Sequence, residues 1–150
     1  QVINHLTQQG CIQLDLPFGT CTLEKLDTTK PIIFTAAGTG FAPIRAMIEQ
    51  LLLEGHETNI HLFWAASTKQ ALYIEEQVLR WTQHIPHFQY TPYISNTQDT
   101  ALASRILSST TDAQMVLAGP FAFVYAIRDT LVAGGVDPQQ LFSDAFDFEL

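Results

Sequence analysis

The sequence predicts a doubly wound α/β fold: a five-stranded parallel sheet in the order 3-2-1-4-5, with helices on both faces. Two observations predict it. From Pro31 onward, apolar strand-like runs alternate with segments of helical period, the pattern of right-handed βαβ units that bury a parallel sheet on both sides. Two of those runs also end in glycine, at Gly38-Thr39-Gly40 and at Ala118-Gly119-Pro120, where the carboxyl ends of neighbouring strands would share one crevice.

The elements follow in chain order. Residues 1–30 differ from the rest, with short β-like stretches at Cys11–Leu16 and Thr20–Leu23 around the turn Pro17-Phe18-Gly19; they read as the edge of another structure or as a connector. The first sheet strand is expected at 32–37, an apolar run that stops at two glycines. Gly38 and Gly40 allow positive φ and a close approach of a ligand to the main chain. The unpaired N–H groups of the next helical turn, with the positive end of the helix dipole, suit a pyrophosphate. Pro43 fits that turn, where its missing N–H costs no hydrogen bond. The helix spans 41–54, with an apolar face of Ile44, Met47, Ile48, Leu51 and Leu52, and Gly55 ends it. Pro43 stands where the third glycine of a G-x-G-x-x-G motif would be, so the standard dinucleotide fingerprint is absent. The alternative reading is that Gly38 and Gly40 only shape a tight strand-to-helix turn.

Further strands are expected at 60–66, 88–94, 115–118 and 140–142, and helices at 71–84, 100–108 and 121–133. Gly134-Gly135 closes the last long helix and Asp137-Pro138 continues that turn. There is no internal repeat or low-complexity tract.

Composition narrows the function classes. An apolar fraction of 47% and a mean hydropathy of +0.11 over 150 residues describe a globular chain with a real core. No apolar run reaches the roughly 18 residues of a membrane span, so no membrane segment is expected. A net charge of −8 with only 7 Lys and Arg argues against nucleic acid, whose phosphates need basic patches. An anionic cofactor would therefore be held mainly by backbone N–H groups. Cys11 and Cys21 are the two cysteines, without zinc-site spacing, and read as reduced thiols of a cytoplasmic protein. No secretory segment is expected. The chain begins with Gln1 and not Met, and is expected to be a piece of a longer polypeptide.

Three segments in order, Gly38-Thr39-Gly40-Phe41-Ala42-Pro43, Leu72-Tyr73-Ile74-Glu75-Glu76 and Ala118-Gly119-Pro120, carry a family resemblance from Pro31 to about Phe148. The chain resembles the nucleotide-binding domain of the ferredoxin-NADP reductase superfamily. The ending Leu141-Phe142-Ser143-Asp144-Ala145-Phe146, with alanine at 118 where many relatives carry cysteine, is most similar to the NAD(P)H-flavin reductases. Leu16-Pro17-Phe18-Gly19-Thr20 is similar to the last strands of the flavin-binding barrel that precedes this domain in the family. On that comparison residues 1–30 are the end of the barrel and a connector, and residues 31–150 the NAD(P)H-binding domain.

The resemblance implies hydride transfer from a nicotinamide to a flavin (FAD, FMN or riboflavin, as acceptor or prosthetic group), with a further electron acceptor downstream. Gly38, Thr39 and Gly40 would line the nicotinamide-pyrophosphate path, Arg45 would add charge near the helix start, and Gly119 and Pro120 would shape the nicotinamide pocket beside Ala118. Phe121 or Phe123 would pack on the adenosine side, and Phe146 over the flavin. Relatives often show Gly-x-Arg after the second strand; here Ala65-Ala66-Ser67-Thr68-Lys69 leaves Ser67, Thr68 and Lys69 as partners for the ribose or its phosphate, a weaker arrangement than a bidentate arginine and the basis for expecting NADH over NADPH. Phe123 stands where relatives commonly have methionine. Hydride transfer needs no general base, and Thr39 is the sole catalytic candidate. The chain taken alone is expected to be inactive.

Several of these residues also have plain structural readings. Tyr73 and Glu76 can sit at a helix start and on a solvated face; Phe41, Phe121 and Phe123 can be core or interface; Trp64 and Trp81 read as packing residues. The five histidines lack metal spacing. Ser143 and Asp144 without a G-x-S-x-G elbow do not make a hydrolase triad. Two other functions stay open: the reductase component of an iron-sulfur or oxygenase electron-transfer system, and a nucleotide-binding module without chemistry of its own.

Overall fold

The computed structural model describes residues 2–11, 19–95, 100–109 and 112–148. Five strands form one sheet in the order β3-β2-β1-β4-β5: β1 (Ile32–Ala37), β2 (Ile60–Ala66), β3 (Phe88–Ile94), β4 (Gln114–Ala118) and β5 (Leu141–Phe142). Every pairing is parallel, and the predicted order is the observed one.

The continuous apolar strands follow from burial on both faces. On one face Ile32, Phe34 and Ala36 of β1 and Ile60, Leu62 and Trp64 of β2 pack with the helix α2 (Phe41–Leu53) and with Val78 of α3 (Glu75–His84). On the other, Ile33, Phe63, Met115 and Leu117 meet Leu102 and Ile106 of α4 (Thr100–Ser109), and Val124, Ile127 and Leu131 of α5 (Phe121–Ala133). This alternation is the period of two that a strand imposes. Helix α2 buries Ile44, Met47, Ile48 and Leu51, and closes at Gly55, whose φ of +73° suits a left-handed cap.

Two regions differ from expectation. The segment expected as one helix over 71–84 is a 3₁₀ turn at Lys69–Ala71 followed by α3 from Glu75. Between them Leu72 and Ile74 take non-helical dihedrals, and Leu72 is buried in the core against α2 and β2. Among the described part of residues 1–30, a helix α1 occupies Val2–Gln9. Thr20–Leu23 forms no strand there: Leu23–Lys25 is a 3₁₀ turn, because Leu23 and Leu26, three apart, both drop into the core beneath α2. The β-like stretch expected at Cys11–Leu16 lies, apart from Cys11, outside the described residues. Asp27 then fixes this segment to the sheet, its N–H donating to Gln114 Oε1 (2.8 Å) and its carbonyl accepting from Gln114 Nε2 (2.8 Å).

Candidate functional site

The carboxyl ends of β1 and β4 lie side by side, with Ala36 opposite Ala118. After β1 the chain makes a 3₁₀ turn at Gly38–Gly40 that runs directly into α2. The two glycines of that turn have different tasks. Gly38 takes φ +53° and has open space where a Cβ would point; it is there for its dihedral. Gly40 has ordinary helical dihedrals, but a Cβ on it would lie 2.5 Å from the carbonyl oxygen of Ala118 and 2.7 Å from the Gly119 Cα. Its expected positive φ is therefore absent, and it is needed so that the two strand-end turns can touch. Gly119 completes the contact: its Cβ would stand 2.9 Å from the Ala37 Cβ and 3.3 Å from the Phe123 ring.

Two cavities open from this contact. A volume of about 490 Å³ between the β1 and β4 ends is lined by Thr39, Gly40 and Pro43, by Ala118 to Phe121, and by Cys21, Asp144 and Phe148. A second, of about 310 Å³, lies over the ends of β1, β2 and β3, lined by Gly38, Thr39, Ala65, Ala66, Ser67, Tyr93, Ser95 and Phe123. Thr39 and Pro120 line both, so the two form one crevice. Each is within the roughly 300–1,000 Å³ span of small-molecule sites. Among the described residues, neither lining includes a lysine or arginine.

Most of the expected site residues converge here: Gly38, Thr39, Gly40, Pro43, Ser67, Ala118, Gly119, Pro120, Phe121 and Phe123. Others are placed elsewhere. Phe41 is fully buried and stacks on Trp64 with ring centroids 4.0 Å apart, so its side chain is core. Arg45 turns down α2 to Glu49 (2.8 Å) instead of toward the helix start, and this hydrogen bond foremost holds the Glu49 carboxyl below its usual range. Thr68 and Lys69 are exposed. Lys69, Tyr73 and Glu76 line a separate surface depression over α3. Phe146 packs beside Tyr125, 6.2 Å between centroids, and under Arg128, outside both cavity walls.

The crevice also recruits Cys21 and Asp144, which sequence reasoning did not assign to it, and the terminal aromatic Phe148, which it had noted beside Phe146. Phe148, more than half exposed, pairs with Phe121 (6.0 Å) at the rim of the larger cavity. Asp144 Oδ1 accepts from the Cys21 N–H (2.7 Å), Asp147 Oδ1 accepts from the Thr20 hydroxyl (2.9 Å), and a side chain on Gly19 would collide with the Asp144 carboxylate. The Tyr125 hydroxyl donates to Ala145 O (2.9 Å). The C-terminal turn is thus clasped to residues 19–21 and to α5. Burial, aided by the Asp144 charge, pushes the Cys21 thiol up to about 11. Trp64 donates its indole N–H to Gly38 O at 3.0 Å. The demand of a buried indole for an acceptor was a usable signal for Trp64; contacts across more than a hundred residues of chain left none for Asp144.

Small residues at three strand ends, a helix that begins at the crevice with Gly40 and Pro43 in its wall, and open space at the Gly38 Cβ position fit an extended dinucleotide with an anionic centre. Among the described residues no helix is long and apolar enough to cross a membrane.

Comparison with known proteins agrees with this geometry. Residues 34–129 match the oxidoreductase NAD-binding domain family. The chain is 33% identical over 95 residues to reductase component 1 of terephthalate 1,2-dioxygenase from Comamonas, covering 63% of this chain and 28% of that protein. It is 24% identical to the NAD(P)H-flavin reductase of Aliivibrio fischeri, over 93% of this chain and 62% of the relative. The crystal structure of an Amycolatopsis cytochrome P450 reductase superposes with a TM-score of 0.72 at 19% identity, over 86% of this chain and 41% of that one. The chain therefore spans less than two thirds of each of these proteins. From the family match and the sheet order together, the chain belongs to the oxidoreductase NAD-binding domain family, the nucleotide-binding part of ferredoxin-reductase-like oxidoreductases.

Proposed function

We propose that this chain is the nicotinamide-dinucleotide-binding part of an NAD(P)H-flavin oxidoreductase, and that its residues 1–30 join it to a flavin-binding barrel. The observation that carries the reading is the pair of cavities joined at Thr39 and Pro120. The smaller one, over β1, β2 and β3, takes the adenosine side; the turn between them holds the diphosphate; the larger one brings the nicotinamide to the flavin. When bound, the reduced nicotinamide supplies a hydride and the flavin accepts it.

This chain's own residues then bind and orient. The main chain at Gly38 and Thr39 donates to the diphosphate, in a crevice wall without basic side chains. Gly119 and Pro120 present a flat surface, and Phe121 and Phe148 screen the larger cavity from water. Thr39, exposed in both walls, is the side chain best placed to meet the reacting ring. No group is needed to move a proton. Ser67 alone of the Ser67-Thr68-Lys69 run lines the smaller cavity, which supports NADH over NADPH as the donor. The unpaired thiols Cys11 and Cys21 support a cytoplasmic setting.

The test follows NADH oxidation at 340 nm by the full-length gene product with added FAD, FMN or riboflavin. Turnover with flavin, and a higher kcat/KM for NADH than for NADPH, are expected. Binding of the dinucleotide without turnover under any flavin would replace this reading with that of a nucleotide-binding module. The likeness to a dioxygenase reductase component favours a second reading, in which electrons pass onward from the flavin to an iron-sulfur acceptor; a cysteine-rich domain in the full gene would decide for it.

A further inference from the structure

Trp64 is fully buried near the carboxyl end of β2, between the Phe41 ring, stacked at 4.0 Å, and the Tyr73 ring, edge-on at 5.4 Å. A buried indole N–H needs an acceptor, and this one donates to the carbonyl of Gly38 at 3.0 Å. The same carbonyl accepts from the Phe41 N–H, so both of its lone-pair directions are used. A trans peptide is planar, and its C=O and N–H point in opposite directions. Fixing the Gly38 carbonyl toward Trp64 therefore fixes the Thr39 N–H away from it, and Thr39 is a residue that both cavities share. The hold is needed because Gly38 sits at φ +53° with nothing within 4 Å of its Cβ position. A glycine there has no side chain of its own to stop the peptide plane from turning over.

We propose that Trp64 is a positioning residue for the dinucleotide: its indole N–H locks the Gly38–Thr39 peptide so that the Thr39 N–H is presented to the diphosphate. The idea rests on the reading of the crevice as a nicotinamide-dinucleotide site. Trp64 itself touches no ligand. The aromatic stack sets the height of the ring, and the single hydrogen bond transmits that position to the turn.

The test measures binding of NADH, ADP-ribose and adenosine to the wild-type chain, Trp64→Phe and Trp81→Phe. Trp64→Phe keeps a ring between Phe41 and Tyr73 but removes the donor. Trp81 packs on Phe88, 5.5 Å away, and lines neither cavity. The expected result is about a tenfold weaker Kd for NADH and ADP-ribose in Trp64→Phe, the scale of one lost charge-assisted hydrogen bond. Adenosine, which has no phosphate, should bind within twofold of wild type, and Trp81→Phe should match wild type for all three. Unchanged NADH affinity in Trp64→Phe overturns the proposal, and so does an equal loss for adenosine, which would mean a general loosening of the fold. Should Trp64→Phe not fold, the wild-type indole N–H resonances decide, assigned by Trp81→Phe: a shift of the Trp64 signal on adding NADH supports the lock, and an unmoved signal at saturation overturns it. Failure of wild type to bind either NADH or ADP-ribose would overturn the reading of the crevice, and the proposal with it.

Discussion

The turns after β1 and β4 resemble each other in sequence, each a small residue followed by glycine, yet they solve different problems. The β1 turn is set by a dihedral: Gly38 takes φ +53° in free space, and a helix follows at once. The β4 turn keeps its surface flat: Gly119 is wedged against Ala37 and Phe123, and Pro120 has no N–H to offer. One turn is set by a dihedral and the other by fit, and Gly40 is the point where they meet. Glycine in a motif is thus a composite signal, requiring positive φ at one position and absence of volume two residues later.

Substitutions can break this division apart. The largest effect is expected for Gly40→Ala, because its new methyl meets backbone that cannot step aside; a loss of about 3 kcal/mol, or roughly 6–12 °C in Tm, should appear in thermal melts, and a near-neutral melt would show that the two turns do not lean on each other. Gly119→Ala should cost about 2 kcal/mol, since the contact with Ala37 and a φ of +156° both oppose a side chain. Gly38→Ala has room, so only backbone strain of about 1–2 kcal/mol is expected; its larger consequence should be on NADH affinity, measured by titration, because the turn that carries the donors is the part that shifts.

Smaller effects mark where the contrast ends. His61 lies near the amino end of β2, stacked on Phe63 at 4.1 Å with its Nε2 2.9 Å from Thr91 Oγ1. Burial lowers its pKa below the ordinary value of 6.5. The unfolded chain then takes up the proton first, so the contribution of neutral His61 is intact above about pH 6.5 and is lost as pH falls through the folded value. His61→Gln should flatten the fall in Tm between pH 7 and 5 without altering NADH affinity at pH 8. The smallest change is expected at Thr35, whose hydroxyl is buried in β1 without a partner among the described residues. Thr35→Val removes an unsatisfied group at nearly constant shape and should be neutral or stabilising by up to about 1 kcal/mol in urea melts.

The contrast also explains what could be read from sequence. β1 and β2 have their expected bounds because burial on two faces leaves a near-continuous apolar run; β3, an edge strand of which only Phe88 is buried, has its expected bounds as well. α3 starts four residues later than its pattern implied, since burying Leu72 outweighed continuing the helix. The meeting of Gly38-Thr39-Gly40 and Ala118-Gly119-Pro120 at one crevice was legible because strand order and local turn residues set it. The side-chain directions of Phe41 and Arg45 were not legible: adjacency to the turn says nothing about rotamer, and they meet Trp64 and Glu49. The contribution of Trp64 depends on an acceptor 26 residues earlier, and that of Asp144 on an N–H 123 residues away; neither separation leaves a periodic trace.

The clasp between residues 19–21 and the C-terminal turn bears on how this unit could be exchanged among relatives. Asp144 and Asp147 take their partners from the segment that leads into the sheet, so the two ends of the unit are one piece. A chimera that swaps only the last residues would strand two carboxylates against unfamiliar neighbours, and Gly19 would face whatever replaced Asp144. A transplant that keeps its shape has to be cut ahead of Gly19 and carry both ends together.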